Sequence, residues 1–116
     1  MTIFVKNKET LILNDFIFKC SIGKKGLTKD KHEGDNKTPM GLFNIGNLYF
    51  RSDKHKKPKV RITCIPIKKN ISGKGSAIFI HITDNYKPTQ GCIALKKNDF
   101  LILIKLINKK TKIKIS

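Results

Sequence analysis

Short apolar runs broken by polar turns set the pattern of this chain. Ile3-Phe4-Val5, Thr10-Leu11-Ile12-Leu13 and Phe16-Ile17-Phe18 are β-rich, and Asn7-Lys8-Glu9 and Asn14-Asp15 punctuate them as turns. The first third therefore predicts a small antiparallel meander. From Gly23 to Lys37 the chain is polar and glycine-bearing, which predicts a long loop of the kind that usually carries function. Thr38-Pro39-Met40-Gly41 should end it in a turn, and Leu42-Phe43-Asn44-Ile45 should resume the sheet. Arg51 to Lys59 is a second polar, solvated stretch. Val60 to Ile67 reads as a strand whose Pro66 places its end at a sheet edge, and Lys68 to Gly75 as a flexible connector.

Ser76 to Thr83 predicts a central strand. With period two, Ile78, Ile80 and Ile82 share one face, fit for the core, while Phe79, His81 and Thr83 share the other. A helix is expected from about Asp99 to Ile107, with Asn98 as N-cap and Asp99 at the positive end of its dipole. Phe100, Leu103, Leu106 and Ile107 would form its packed face, and Asn108 would end it. Thr111 to Ile115 alternates as a last strand. The fold class is mainly β with one C-terminal helix, and there is no internal repeat.

Length and charge narrow the picture. A chain of 116 residues can bury one modest core, so residues 1–116 are expected to form a single domain. Its start lacks a basic stretch leading into an apolar run, so no secretory signal is visible, which by default points to the cytoplasm unless another export route reaches the cell envelope. The longest apolar candidate, Phe100 to Ile107, is broken by Lys105 and is too short for membrane insertion. The net charge of +17 suits a nucleic-acid partner through phosphate neutralisation. However, only Arg51 and Arg61 are arginine, the residue favoured for such contacts, and the richness in Lys, Ile and Asn matches A/T-rich codons. Nucleic-acid binding, as a basic non-catalytic module, is thus the second reading. Any carboxylate-bearing peptide or polymer would feel the same field.

Three cysteines, Cys20, Cys64 and Cys92, form neither a disulfide framework nor a C-x-x-C pair. Cys20 and Cys64 lie in apolar, strand-like runs and read as core. Cys92 follows Gly91 at the end of the polar turn Pro88-Thr89-Gln90-Gly91, so its sulfur can face a cleft. His81, eleven positions upstream on a strand, is the base such a sulfur needs to become a thiolate at neutral pH. The amides of Gly91 and Cys92 are candidates for an oxyanion hole. A lone cysteine in a small chain is usually a buried hydrophobe and a lone strand histidine usually structural; the two together, with Gly91 before the sulfur, favour acyl transfer through a thioester. His32 and His55 fall in Lys-rich loops and read as surface residues. A metal site from His32, Glu33 and Asp35 lacks a fourth ligand and the usual spacing, so no metal is expected.

At these residues the sequence resembles the L,D-transpeptidase catalytic-domain (YkuD-like) family. The signature is His81-Ile82-Thr83 followed by Thr89-Gln90-Gly91-Cys92-Ile93-Ala94-Leu95, and a second block is Ile22-Gly23-Lys24-Lys25-Gly26 with Glu33-Gly34-Asp35 and Thr38-Pro39-Met40-Gly41. The resemblance implies a β-sandwich or barrel in which Cys92 is the acylated nucleophile and His81 the general base. The backbone at Ile82 would orient the ring, and Gly91 would help hold the oxyanion. Thr83, Thr89, Gln90, Thr38, Pro39 and Gly41 would contact substrate. The implied substrates are peptidoglycan stem peptides or muropeptide precursors, with no cofactor. Gln90 stands where many members have a second His, and Ala94 where many have Arg or Asn. The stretch between Gly41 and His81 looks shorter than in relatives, with the join near Lys69 to Gly75; such a loss would leave the His–Cys pair beside an incomplete substrate groove, and an inactive remnant of the family is then a third reading.

Overall fold

Alternating burial along short strands builds one wrapped sheet. The computed structural model describes residues 1–30, 32, 34–46, 49–52, 61–68, 78–108 and 110–116, with the side chains of 49–52, 61–64 and 68 outside the description. The expected polar stretch beyond residue 52, most of the 68–75 connector, the proposed join, His55, Glu33 and the Cys64 side chain lie outside the described residues.

The N-terminal meander forms as expected: β1 (Thr2–Lys6), β2 (Thr10–Leu13) and β3 (Phe16–Lys19) pair antiparallel in sequence order. Asn7, Lys8 and Asn14 take positive φ at the two turns (54°, 65° and 53°), a conformation Asn tolerates better than most side chains. The loop after Gly23 carries β4 (Leu27–Thr28), which pairs in parallel with β5 (Thr38–Pro39). Thr38 and Pro39, expected in a turn, are thus strand residues, because the loop folds back far enough to supply them with a partner. β6 (Gly41–Ile45) follows, then β7 (Tyr49–Ser52), β8 (Arg61–Lys68), β9 (Ile78–Ile82), β10 (Ile93–Leu95), α1 (Lys97–Leu106) and β11 (Lys112–Ile115).

The main sheet runs β10-β9-β8-β6-β11-β1-β2-β3, with β7 also on β8. Pro66 is not at an edge. It pairs with Phe79 of β9 on one side, and on the other it sits where the partner of β8 changes from β7 to β6. Its carbonyl accepts the Gly46 N–H at 2.8 Å, so only the missing proline N–H needed a gap in the ladder. The sheet nearly closes on itself: beyond β3, Ser21 bridges antiparallel to Ala94 of β10, exchanging both backbone bonds at 2.9 Å. Closure satisfies edge groups that would otherwise face solvent.

The core lines the inside of this wrap. Ile3, Val5, Leu11, Leu13, Ile80, Ile93, Leu95 and Ile113 are fully buried, each alternating with outward residues. From α1, Phe100 and Leu103 pack against the same cluster, joined by partly buried Leu106 and Ile107. The helix starts two residues before the expected position, with Lys96 rather than Asn98 at the N-cap and no side-chain capping bond there. The chain leaves β10 at Leu95, and burial of Phe100 fixes the helical phase at once; the favourable cap residue is simply carried into the first turn.

Candidate active site

The candidate site is assembled at the closure seam, where three sequence blocks meet. β9 and β10 run parallel, so residues 83–92 must travel back along the sheet before β10 begins. Register pairs Ile80 with Ile93, His81 with Ala94 and Ile82 with Leu95. Ile80, Ile93 and Leu95 face the core, which leaves His81 and Ala94 on the outer face. Cys92 is the residue just before β10. It is a half-buried cysteine outside any disulfide, two positions from Ala94.

His81 is half-buried, and its Nδ1 lies 3.1 Å from the carbonyl oxygen of Ile82. A carbonyl only accepts, so Nδ1 carries the proton in this bond and neutral imidazole presents Nε2 as its basic atom.

The turn before Cys92 is held by its own hydroxyls. Thr89 Oγ1 donates to the Cys92 carbonyl at 2.5 Å and accepts the Gly91 N–H at 3.0 Å. The Gly91 amide, expected to hold an oxyanion, is therefore committed to Thr89, because a threonine hydroxyl readily captures the N–H two residues on. Gly91 itself has φ 138°, a backbone setting that side chains rarely adopt. Thr83 Oγ1 accepts the Tyr86 N–H at 3.2 Å, and the Thr83 N–H donates to Leu95 O at 2.7 Å.

Thr38 joins the blocks. Its hydroxyl accepts the Gly23 N–H and donates to the Gly91 carbonyl, both at 2.8 Å and both buried. Of the other expected substrate contacts in this block, Thr38 and Pro39 are buried and Gly41 is paired with Ile115 in the sheet. Thr83 and Thr89 are half-buried with their hydroxyls used locally, and Gln90 is exposed beside Cys92. Asp35, discounted as a ligand, organises the loop that delivers Thr38: its carboxylate accepts the N–H groups of His32 and Lys37, each at 2.9 Å. Among the described residues, no group of three or more His, Cys, Asp or Glu side chains could hold a metal ion. No described helix is long and apolar enough to cross a membrane.

Sequence reasoning gave no role to Gly23, Ser21 or Tyr86. A Cβ at Gly23 would lie 2.5 Å from Asn36 O and 2.9 Å from Lys37 Cα, so only glycine lets the chain at residue 23 approach the backbone at 36–37 this closely. Its place in Ile22-Gly23-Lys24 was the available signal. Tyr86 takes φ 56°, with the Lys19 and Lys96 ammonium groups 4.9 and 5.6 Å from its ring centroid. Desolvation, with Asp99 adding to it, raises the Tyr86 phenol above its ordinary range. The core placement of Cys20 is correct: it is 2% exposed, and burial, reinforced by the Glu9 carboxylate, pushes its thiol up to about 12. Cys92, at the turn, escapes such enclosure.

A family profile for the YkuD L,D-transpeptidase catalytic domain matches residues 1–115. The chain belongs to the L,D-transpeptidase catalytic-domain family. Solved structures of similar fold include the helical cell shape determining protein Pgp2 of Campylobacter jejuni, at TM-score 0.74 and 24% identity over 99% of this chain and 46% of that one. L,D-transpeptidase 1 of Mycobacterium tuberculosis matches at TM-score 0.62 and 12% identity, covering 98% of this chain and 57% of the other. An L,D-transpeptidase of Stackebrandtia nassauensis matches at 0.60 and 18%, covering 99% and 54%. These likenesses support the nearly closed barrel seen here, and the L,D-transpeptidase-like chain spans about half the length of those proteins. No curated protein sequence matches it.

Proposed function

We propose that the chain is a cysteine acyltransferase acting on peptidoglycan stem peptides, with residues 1–116 as one catalytic domain, Cys92 as nucleophile and His81 as general base. The observation that carries this reading is the bond from His81 Nδ1 to the Ile82 carbonyl, which sets the tautomer in which Nε2 is the basic nitrogen of the neutral ring. Carrying strand alternation one residue back from β10 puts Cys92 on the outer face with His81. The diagonal offset between neighbouring strands is roughly 7–8 Å between Cα atoms, within reach of an imidazole. Family membership and the half-exposed Cys92 support the same assignment.

In the reaction, the Cys92 thiol gives its proton to His81 Nε2 and the sulfur attacks the acyl carbon of an L,D-peptide bond. The imidazolium protonates the leaving amine as the C–N bond breaks, giving a thioester. An acceptor amine then attacks the thioester, with its proton taken by His81, and the thiol is restored; water in that role gives hydrolysis. Exposed Gln90 beside the sulfur would contact the incoming peptide.

Intact-mass analysis after exposure to a carbapenem tests the proposal. The expected result is one covalent adduct, absent in Cys92→Ala and formed far more slowly in His81→Ala. No adduct on the unaltered chain, or an adduct that persists in Cys92→Ala, overturns it.

A further inference from the structure

Strands β3, β2, β1, β11 and β6 lie side by side in the sheet, and their inward positions fill the core. Among the described residues β6 meets β8 only through Asn44 and Ile45, which marks a corner and leaves the five strands as one layer. Register sets Ile17 against Ile12, Ile12 against Phe4, Phe4 against Lys114 and Lys114 against Leu42. One outward row therefore carries four apolar side chains across the layer, over about 19 Å at about 4.8 Å per strand. Ile17 is 72% exposed, Leu42 57% and Phe4 36%, with Ile12 half-buried between Ile17 and Phe4.

A solvated sheet face ordinarily carries polar side chains, and the neighbouring rows do. Thr2, Lys112 and Asn44 form the row on one side, and Lys6, Thr10 and Lys19 the row on the other. The five strands hold no Asp or Glu; Glu9 and Asp15 sit in the turns at their ends. Lys6, Lys112 and Lys114 are exposed on this face, and the Lys6 ammonium lies 5.4 Å from the Phe4 ring centroid. Apolar and cationic groups thus share one surface, the combination that anionic lipid selects. Apolar side chains enter the boundary between headgroups and acyl chains, while lysine stems follow them and the ammonium groups stay with the headgroups.

We infer that this face docks on an anionic lipid surface. The apolar row is one residue wide between lysine-bearing rows, too narrow for the dry centre of a protein interface of about 800 Å² per partner. Lipid takes up such side chains singly. A net charge of +17 opposes pairing this face with a second copy of the chain. Nucleic acid would use the lysines but gain nothing from three exposed or half-buried aliphatic side chains. The contact is peripheral, needs no spanning segment and does not depend on the chemistry proposed for Cys92.

The test is co-sedimentation of the full chain with vesicles of phosphatidylcholine alone and of equal parts phosphatidylcholine and phosphatidylglycerol. Binding at least about tenfold tighter to the mixed vesicles is expected. Ile17→Ser with Leu42→Ser should weaken it about tenfold at unchanged charge, without lowering the melting temperature, because both side chains are mostly exposed. Lys112→Gln with Lys114→Gln should weaken it as much. The same charge change at Lys24 and Lys25, away from this face, should leave affinity within about twofold. The chain has no Trp, so Ile17→Trp supplies a single reporter, whose emission should shift to the blue and be quenched by brominated acyl chains. Leu101→Trp, at an exposed apolar position on α1, should stay unquenched. Absence of vesicle binding, an equal loss from the Lys24–Lys25 pair, or an unquenched Ile17→Trp would overturn the inference. So would a serine pair that loses oligonucleotide binding or self-association while its vesicle binding is unchanged.

Discussion

The Thr38 hydroxyl donates a 2.8 Å hydrogen bond to the carbonyl of Gly91, across 53 positions of sequence. The same oxygen accepts the Gly23 N–H, so one buried side chain ties the first glycine block to the turn that presents Cys92. Thr38→Val keeps the shape but orphans a buried N–H and a buried carbonyl, each worth about 1–3 kcal/mol. A loss of unfolding free energy of that order, read by urea denaturation, is expected, together with slower carbapenem acylation. Thr38→Ser should restore both. A valine variant as stable as the parent would show that the strut carries no load.

Gly23→Ala should be costly for a different reason. The added methyl would meet backbone atoms at 2.5 and 2.9 Å, which a side-chain rotation cannot relieve. Displacing the Asn36–Lys37 peptide is expected to cost about 1–3 kcal/mol, read by urea melts. Gly26→Ala is the comparison: its Cβ would meet nothing within 4 Å, so any loss there reflects only its φ of 86°.

Cys20 makes stability fall at alkaline pH. Its thiol ionises near 9.0 when unfolded and near 12 in the fold, so between these values the folded state keeps a proton that the unfolded chain has lost. The contribution is fully present below pH 9 and is lost as pH rises toward 12, by up to roughly 4 kcal/mol for a shift of three units. Cys20→Ala should flatten that slope, whatever its own packing cost. The same burial predicts that iodoacetamide at pH 8 labels Cys92 well before Cys20, as read by peptide mapping.

The helix start offers a stabilising substitution. Lys96 has the extended dihedrals of an N-cap (φ −61°, ψ 152°) but no side-chain capping bond. Lys96→Asp supplies an acceptor for the first-turn amides and should raise stability by about 1 kcal/mol, less the loss of its ammonium near the Tyr86 ring. Thermal melts compare it with Lys96→Ala, which lacks the acceptor and should gain nothing.

Local pattern carried much of the architecture. The meander, the alternation of Ile78, Ile80 and Ile82, the Phe100–Leu103 helical face and the last strand follow from periodicities of two and 3.6 that depend only on near neighbours. The candidate pair was legible too, as a cysteine after Gly91 and a strand histidine. The cap at Asn98 was not, because burial of Phe100 outweighs the roughly 1 kcal/mol a cap supplies. Pro66 misled for a similar reason: a missing N–H excludes proline from an unbroken ladder, but not from a point where the neighbouring strand changes.

By itself, the sequence determined which residues could form strands, which face each would bury, and which side chains were candidates for acyl transfer. Tertiary structure alone decided the closure between Ser21 and Ala94 and the burial of Thr38 as a strut between Gly23 and Gly91. Each depends on which distant segments become neighbours. Hydrogen bonds and steric contacts between such segments act over a few ångströms, and their partners exist only once the sheet has wrapped.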